Sequence, residues 1–118
     1  MIIDKKIDKY IIYHKSTVSS ALKKLNANNS KIVFAIDKNN NLVGSLSDGD
    51  IRRWLLKKNN PNLNTEIRPL LNKNLFSILD LNFDINKDYF VQTKIEVIPV
   101  IDNNSKIKFI IKKKFENL

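Results

Sequence analysis

The feature that most limits the fold is an internal repeat. Lys31-Ile-Val-Phe-Ala-Ile36 is a short apolar run rich in β-branched residues, followed by the polar turn Asp37-Lys-Asn-Asn-Asn41 and a second run, Leu42-Val-Gly-Ser-Leu46. The same order returns as Ile95-Glu-Val-Ile-Pro-Val-Ile101, Asp102-Asn-Asn-Ser105 and Lys106-Ile-Lys-Phe-Ile-Ile111. Setting Asp102 against Asp37 puts Phe109 opposite Gly44, seven positions downstream in both copies. Each copy therefore predicts a buried strand, a tight turn and a returning strand.

Helical patterns surround these strands. Thr17 to Leu25 places Val18, Ala21, Leu22 and Leu25 at helical spacing behind Ser16 and Thr17 as N-caps. Asp50 to Lys58 predicts a helix with Ile51, Trp54 and Leu55 inward, and Phe83 to Phe90 carries a looser helix-like pattern. With initial strands near Lys9 to Tyr13 and Leu75 to Leu79, each half reads β-α-β-β-α, an α+β fold. The polar run Lys57 to Asn64, with Pro61, reads as a linker. The division is 1–58 for the first repeat, 59–64 for the linker and 65–118 for the second repeat. A unit of about 50 residues buries too little alone, so the halves are expected to pack on each other.

Composition removes several classes. The 118 residues are 42% hydrophobic and 28% charged, which suits a soluble globular protein and not a disordered one. With no cysteine there is no disulfide, thiol nucleophile or thiolate metal site. The N-terminus is broken by charge at Asp4, Lys5 and Lys6, and no apolar run is long enough to cross a bilayer, so neither signal peptide nor membrane contact is expected and the location reads as cytoplasmic. The net charge of +9 suits nucleic acid, an anionic surface or an anionic ligand. The lysines, however, are scattered along a chain also rich in asparagine and isoleucine, and no aromatic-basic platform is interleaved, so coding drift explains the charge better and nucleic acid is the weakest partner.

Arginine is distributed differently. Arg52, Arg53 and Arg68 are the only three, and two adjoin Gly44-Ser-Leu-Ser-Asp-Gly-Asp-Ile-Arg-Arg53, which also holds both glycines. Ser47 followed by Asp50 before an apolar helix is a capping-box pattern. That pattern leaves Gly44 unexplained, because glycine weakens a strand unless something approaches its backbone closely. A strand running into a helix N-terminus offers an anion seat. There Ser47 adds a hydroxyl, Arg52 or Arg53 neutralises phosphate, Asp50 accepts from a ribose diol, and Gly44 leaves room for a base or sugar. No catalytic or metal-binding set is evident: Asp48 and Asp50 lack a further acidic cluster, His14 is the lone histidine and reads as structural, and Trp54 reads as core or interface. Lys112 to Lys114 reads as a solvated helix face.

Gly44-x-x-Ser47-x-x-Asp50 after a β-α-β-β unit that occurs twice resembles the tandem CBS module, named for cystathionine β-synthase and also called the Bateman module. The resemblance covers nearly the whole chain. It implies two β-α-β-β-α repeats packed sheet to sheet as one module, modules paired as homodimers, and clefts binding AMP, ADP, ATP or related ligands with no cofactor required. Asp50 would hold the ribose hydroxyls and Ser47 would lie near phosphate, with Thr17 bordering the pocket. "SDGDIRRWLL" followed by "IRPLLNKNLFSI" is similar to the CBS pairs attached to bacterial sugar-phosphate isomerases and sugar-1-phosphate nucleotidyltransferases. That likeness implies an accessory, non-enzymatic piece covalently linked to a catalytic domain, sensing a nucleotide. The second repeat departs from the motif, with Phe109, Lys112 and Phe115 in the places of Gly44, Ser47 and Asp50. That degeneracy favours the alternative of a purely structural dimerisation module without ligand.

Overall fold

The structure, a computed structural model, describes residues 1–91 and 93–113. It divides into two compact units: Asp8–Leu75, and Met1–Ile7 together with the described residues from Phe76 onward.

In the unit 8–75, β1 (Ile2–Asp4) is absent and the sheet runs β2 (Ile11–Tyr13), β3 (Ile32–Ile36), β4 (Leu42–Ser47), with β2 parallel and β4 antiparallel to β3. Helix α1 (Val18–Asn28) links β2 to β3, and α2 (Asp48–Lys57) follows β4 without a break. This half is therefore β-α-β-β-α in order. Val18, Ala21 and Leu25 fall on one stripe of α1 and close a core with Ile12, Val33, Ala35, Leu46, Ile51 and Ile67. Leu22 and Leu55, expected to face inward, are each 36% exposed. Each lies about 100° round its helix from Ala21 or Trp54, at the edge of the buried stripe.

Two local devices fix α1. Asn28 is buried at its last turn and donates its side-chain amide to the carbonyls of Lys9 and Ile32, both at 3.0 Å, tying the helix end to the strands beside it. At its start the Thr17 hydroxyl accepts from Ser20 N–H at 3.1 Å. The Val18 and Ser19 amides donate to the carbonyls of Thr65 and Leu63, each at 2.9 Å, and Ala21 N–H donates to Thr17 O at 3.0 Å. The amides of Val18, Ser19 and Ser20, which have no partner within the helix, are thus satisfied by neighbouring parts of the chain.

Residues 59–75 therefore belong to this unit in space. Ile67 is fully buried in its core, and Ser45 and Asn72 exchange backbone hydrogen bonds of 3.0 and 2.8 Å, so that the chain at Leu71 and Asn72 runs antiparallel beside β4.

The other unit has a four-stranded sheet in the order β1, β7 (Ile107–Lys112), β6 (Val97–Ile101), β5 (Ile78–Leu79). β5 is parallel to β6, while β6–β7 and β1–β7 are antiparallel. The strand at Ile2–Asp4 was not anticipated; Ile3 pairs with Ile111 and packs on the cluster of Ile78, Phe90, Ile98, Val100 and Ile111.

Phe83 to Phe90 is not an α-helix. Asp80–Asn82 forms a 3₁₀ turn, the Asp84 carboxylate accepts from Asn86 N–H at 2.9 Å and that of Asp88 from Phe90 N–H at 2.9 Å. Such short side-chain bonds compete with helical pairing, and here they win. Lys112 ends β7 instead of lining a helix, and Lys114 and the expected final helix lie outside the described residues.

The repeat is visible atom by atom in its two hairpins. Asp37 Oδ1 accepts from the amides of Asn39 (2.8 Å) and Asn41 (3.0 Å), and Asp102 Oδ1 from those of Asn104 (2.8 Å) and Lys106 (3.0 Å). The left-handed residue falls at Asn40 (φ 66°) in one and Ser105 (φ 62°) in the other. The amides of Asn41 and Lys106, foremost in their respective turns, hold both carboxyls below the usual aspartate range.

Candidate functional site

β4 delivers Ser47 directly to the start of α2, where the capping box forms as the sequence predicts. Ser47 Oγ accepts from Asp50 N–H at 3.1 Å, and Asp50 Oδ2 accepts from Ser47 N–H at 2.9 Å. Arg53, one turn on, donates to Asp50 Oδ1 at 2.7 Å. Asp50 is thus held on both oxygens, with its side chain 22% exposed and that of Arg53 63% exposed. A carboxylate offers about four lone-pair directions, so two remain for another donor.

The anion seat is narrower than expected. The Ser47 amide donates to Asp50, that of Asp48 to the Lys31 carbonyl at 3.2 Å and that of Asp50 to Ser47, so three of the four amides at the start of α2 have protein acceptors. Arg52 is exposed on the same turn, whereas Arg53 is engaged with Asp50. Thr17 caps α1, where the amides of Val18, Ser19 and Ser20 already have acceptors within the chain.

Gly44 has a structural explanation that sequence reasoning left unidentified. A Cβ there would lie 2.9 Å from Leu71 Cβ and 3.2 Å from the Asn72 carbonyl oxygen. The chain's own segment at Leu71 and Asn72 is thus a close neighbour of the Gly44 backbone. In the second repeat Phe109 meets Phe83 edge-on at 5.1 Å, while Lys112 lies in the β-ladder. Phe115 lies outside the described residues.

His14 donates its backbone amide to Ile36 O at 2.9 Å and sets its ring edge-on to Tyr13 at 5.0 Å. Trp54 is half-buried and packs on the core. Among the described residues no group of three metal-ligating side chains converges, and no helix is long and apolar enough to cross a membrane.

Two sheets and two helices among the described residues, with the order β-α-β-β-α in the unit 8–75, define an α+β fold. More particularly, residues 6–57 match the family model of the CBS domain. The fold recurs in a CBS domain protein from Streptococcus pneumoniae TIGR4, with a TM-score of 0.77 and 15% identity over 95% of this chain and 73% of that one. The CBS domains of a transcriptional regulator from the same species give 0.75 at 18% identity over 93% and 88%. A putative archaeal homolog of g-AMPK from Methanocaldococcus jannaschii gives 0.75 at 18% identity, covering 92% of this chain and 45% of that one. The chain spans about half the length of the archaeal proteins it matches. No curated protein sequence matches it.

Proposed function

We propose that the chain is a tandem CBS module, with repeats at 1–58 and 65–118 joined by 59–64, that senses an adenosine nucleotide at Ser47 and Asp50. The observation that carries this is the Asp50 carboxylate: the Ser47 amide and Arg53 orient it at the start of α2, and it keeps acceptor capacity and exposure. A preoriented carboxylate of this kind suits a ribose diol, and exposed Arg52 suits a nearby phosphate. The likeness of "SDGDIRRWLL" to accessory modules of sugar-phosphate enzymes supports a cytoplasmic regulatory piece attached to such a catalytic domain and dimerising through the CBS fold.

Titration calorimetry with AMP, ADP and ATP tests the reading. Asp50→Asn is expected to weaken binding ten- to a hundredfold, about 1.5–3 kcal/mol for lost hydrogen bonds to a charged group. Unchanged affinity would remove the ribose role. Failure of the wild-type chain to bind any of the three would favour the second reading, a structural dimerisation module. Two observations support that reading: Leu71 and Asn72 fill the space over Gly44, and Phe109 and Lys112 replace the motif in the other repeat.

A further inference from the structure

A concavity at the other end of β4 carries a separate chemistry. It is an open hollow of about 350 Å³ lined by His14, Val43, Arg68, Pro69, Leu71 and Lys73. Val43 and Ser47 are four residues apart on β4, or about 13 Å at the rise of a strand, so this hollow does not share the Ser47–Asp50 site. Three of its six lining side chains bear cationic or protonatable nitrogens, and none bears a carboxylate. The remaining three, Val43, Pro69 and Leu71, give it an apolar wall.

The positions of these groups are fixed by the backbone around them. His14 directly follows β2, held by the hydrogen bond from its amide to the Ile36 carbonyl and by its contact with Tyr13. Arg68 and Pro69 lie on a 3₁₀ turn in which Leu70 N–H donates to Ile67 O at 2.8 Å, and Ile67 is anchored in the core. Lys73 directly follows Asn72, which is pinned to Ser45.

Arg68 is one of three arginines in a chain that otherwise uses lysine. Its pairing with Glu66 at 3.2 Å uses one of the five N–H donors of a guanidinium, whose fork matches two oxygens of a phosphate. Asp37, the carboxylate that His14 influences electrostatically, is already engaged by the amides of Asn39 and Asn41.

We infer that the hollow between His14, Arg68 and Lys73 binds a small phosphomonoester, its dianionic head on the three nitrogen-bearing side chains and its carbon skeleton against Val43, Pro69 and Leu71. Its volume falls in the range of small-molecule sites and suits a compact molecule. A hollow of this small volume fits a discrete ligand better than a polyanion, which needs an extended basic track.

The test is an amide chemical-shift titration of the ¹⁵N-labelled full chain with inorganic phosphate and with glycerol 1-phosphate, against potassium chloride at matched ionic strength. Saturable shifts are expected at His14, Val43, Leu71 and Lys73 with both phosphates and not with chloride. Arg68→Ala combined with Lys73→Ala should raise the dissociation constant at least tenfold. Arg68→Gln alone, which keeps most of the side chain's length, should raise it at least threefold. Asp50→Asn should leave phosphate binding unchanged, so this site and the nucleotide reading stand or fall separately. Shifts that match the chloride control, shifts centred on Ser47 to Asp50, or an affinity indifferent to both arginine variants would each overturn the inference.

Discussion

Adding a single methyl group at Gly44 tests whether the segment after the linker is built onto β4. In Gly44→Ala the new Cβ would stand 2.9 Å from Leu71 Cβ, 3.2 Å from Asn72 O and 3.3 Å from Leu71 Cδ1. Two of these atoms are backbone or backbone-attached, so rotating a side chain cannot relieve the contact. The segment must move away, straining or breaking the paired bonds between Ser45 and Asn72. Overpacking of this kind costs about 1–3 kcal/mol, and each lost backbone hydrogen bond about 0.5–1.5 kcal/mol. Replacing glycine with alanine in a strand returns about 0.5–1 kcal/mol through the unfolded chain. The net expectation is a loss of about 2 kcal/mol. Urea denaturation should show a lower midpoint at unchanged slope, with faster hydrogen exchange at Ser45 and Asn72. Leu71→Gly in the Gly44→Ala background should recover part of the clash, giving a favourable coupling of about 1 kcal/mol. A Gly44→Ala chain as stable as the wild type, or more so, would refute the placement of Leu71 and Asn72.

The two matched hairpins predict an acid sensitivity with a definite sign. Because Asp37 and Asp102 have folded pKa values below their unfolded ones, their contribution is present above the unfolded value of 3.8 and is lost as pH falls through it toward the folded values. Urea midpoints measured from pH 7 to pH 3 should therefore fall less steeply in Asp37→Asn combined with Asp102→Asn than in the wild type; parallel curves would remove the turn carboxylates from the explanation. Fragments separate repeat from compact unit: residues 8–75 should keep a cooperative urea transition. Residues 1–58, deprived of Ile67 and of the Leu63 and Thr65 carbonyls over α1, should lose it, and equal cooperativity in both would contradict the role given to 59–75.

The strand pairs at Lys31 to Leu46 and Ile95 to Ile111 were readable because alternation of apolar runs with Asx turns is a local signal. The capping box was readable for the same reason: its partners lie three residues apart. Gly44 announced a close neighbour without naming it, since Leu71 and Asn72 become its neighbours only through folding. The pairing of Ile3 with Ile111 was hidden because a three-residue strand flanked by lysines has no period of its own. Phe83 to Phe90 misled because the spacing of its aromatics mimics a helix, whereas Asp84 and Asp88 bind nearby amides and Phe83 stacks on Tyr89 at 5.8 Å. In the candidate site the residue types were legible; that Asp50 would already hold Arg53 was not.

The ladder between β1 and β7 has a kinetic consequence. Ile2 to Asp4 leave the ribosome about 100 residues before Ile110 to Lys112, so one flank of this sheet must wait for its partner while all of the intervening chain is made. Closing so long a loop is slow, though each doubling of its length adds only about 0.6 kcal/mol of entropic cost. The β6–β7 hairpin, by contrast, joins neighbours in the chain and needs no such delay. The seam at Ile3 and Ile111 is thus the natural last event in assembling this sheet, and until it closes the outer edge of β7 stands open to any other strand that reaches it.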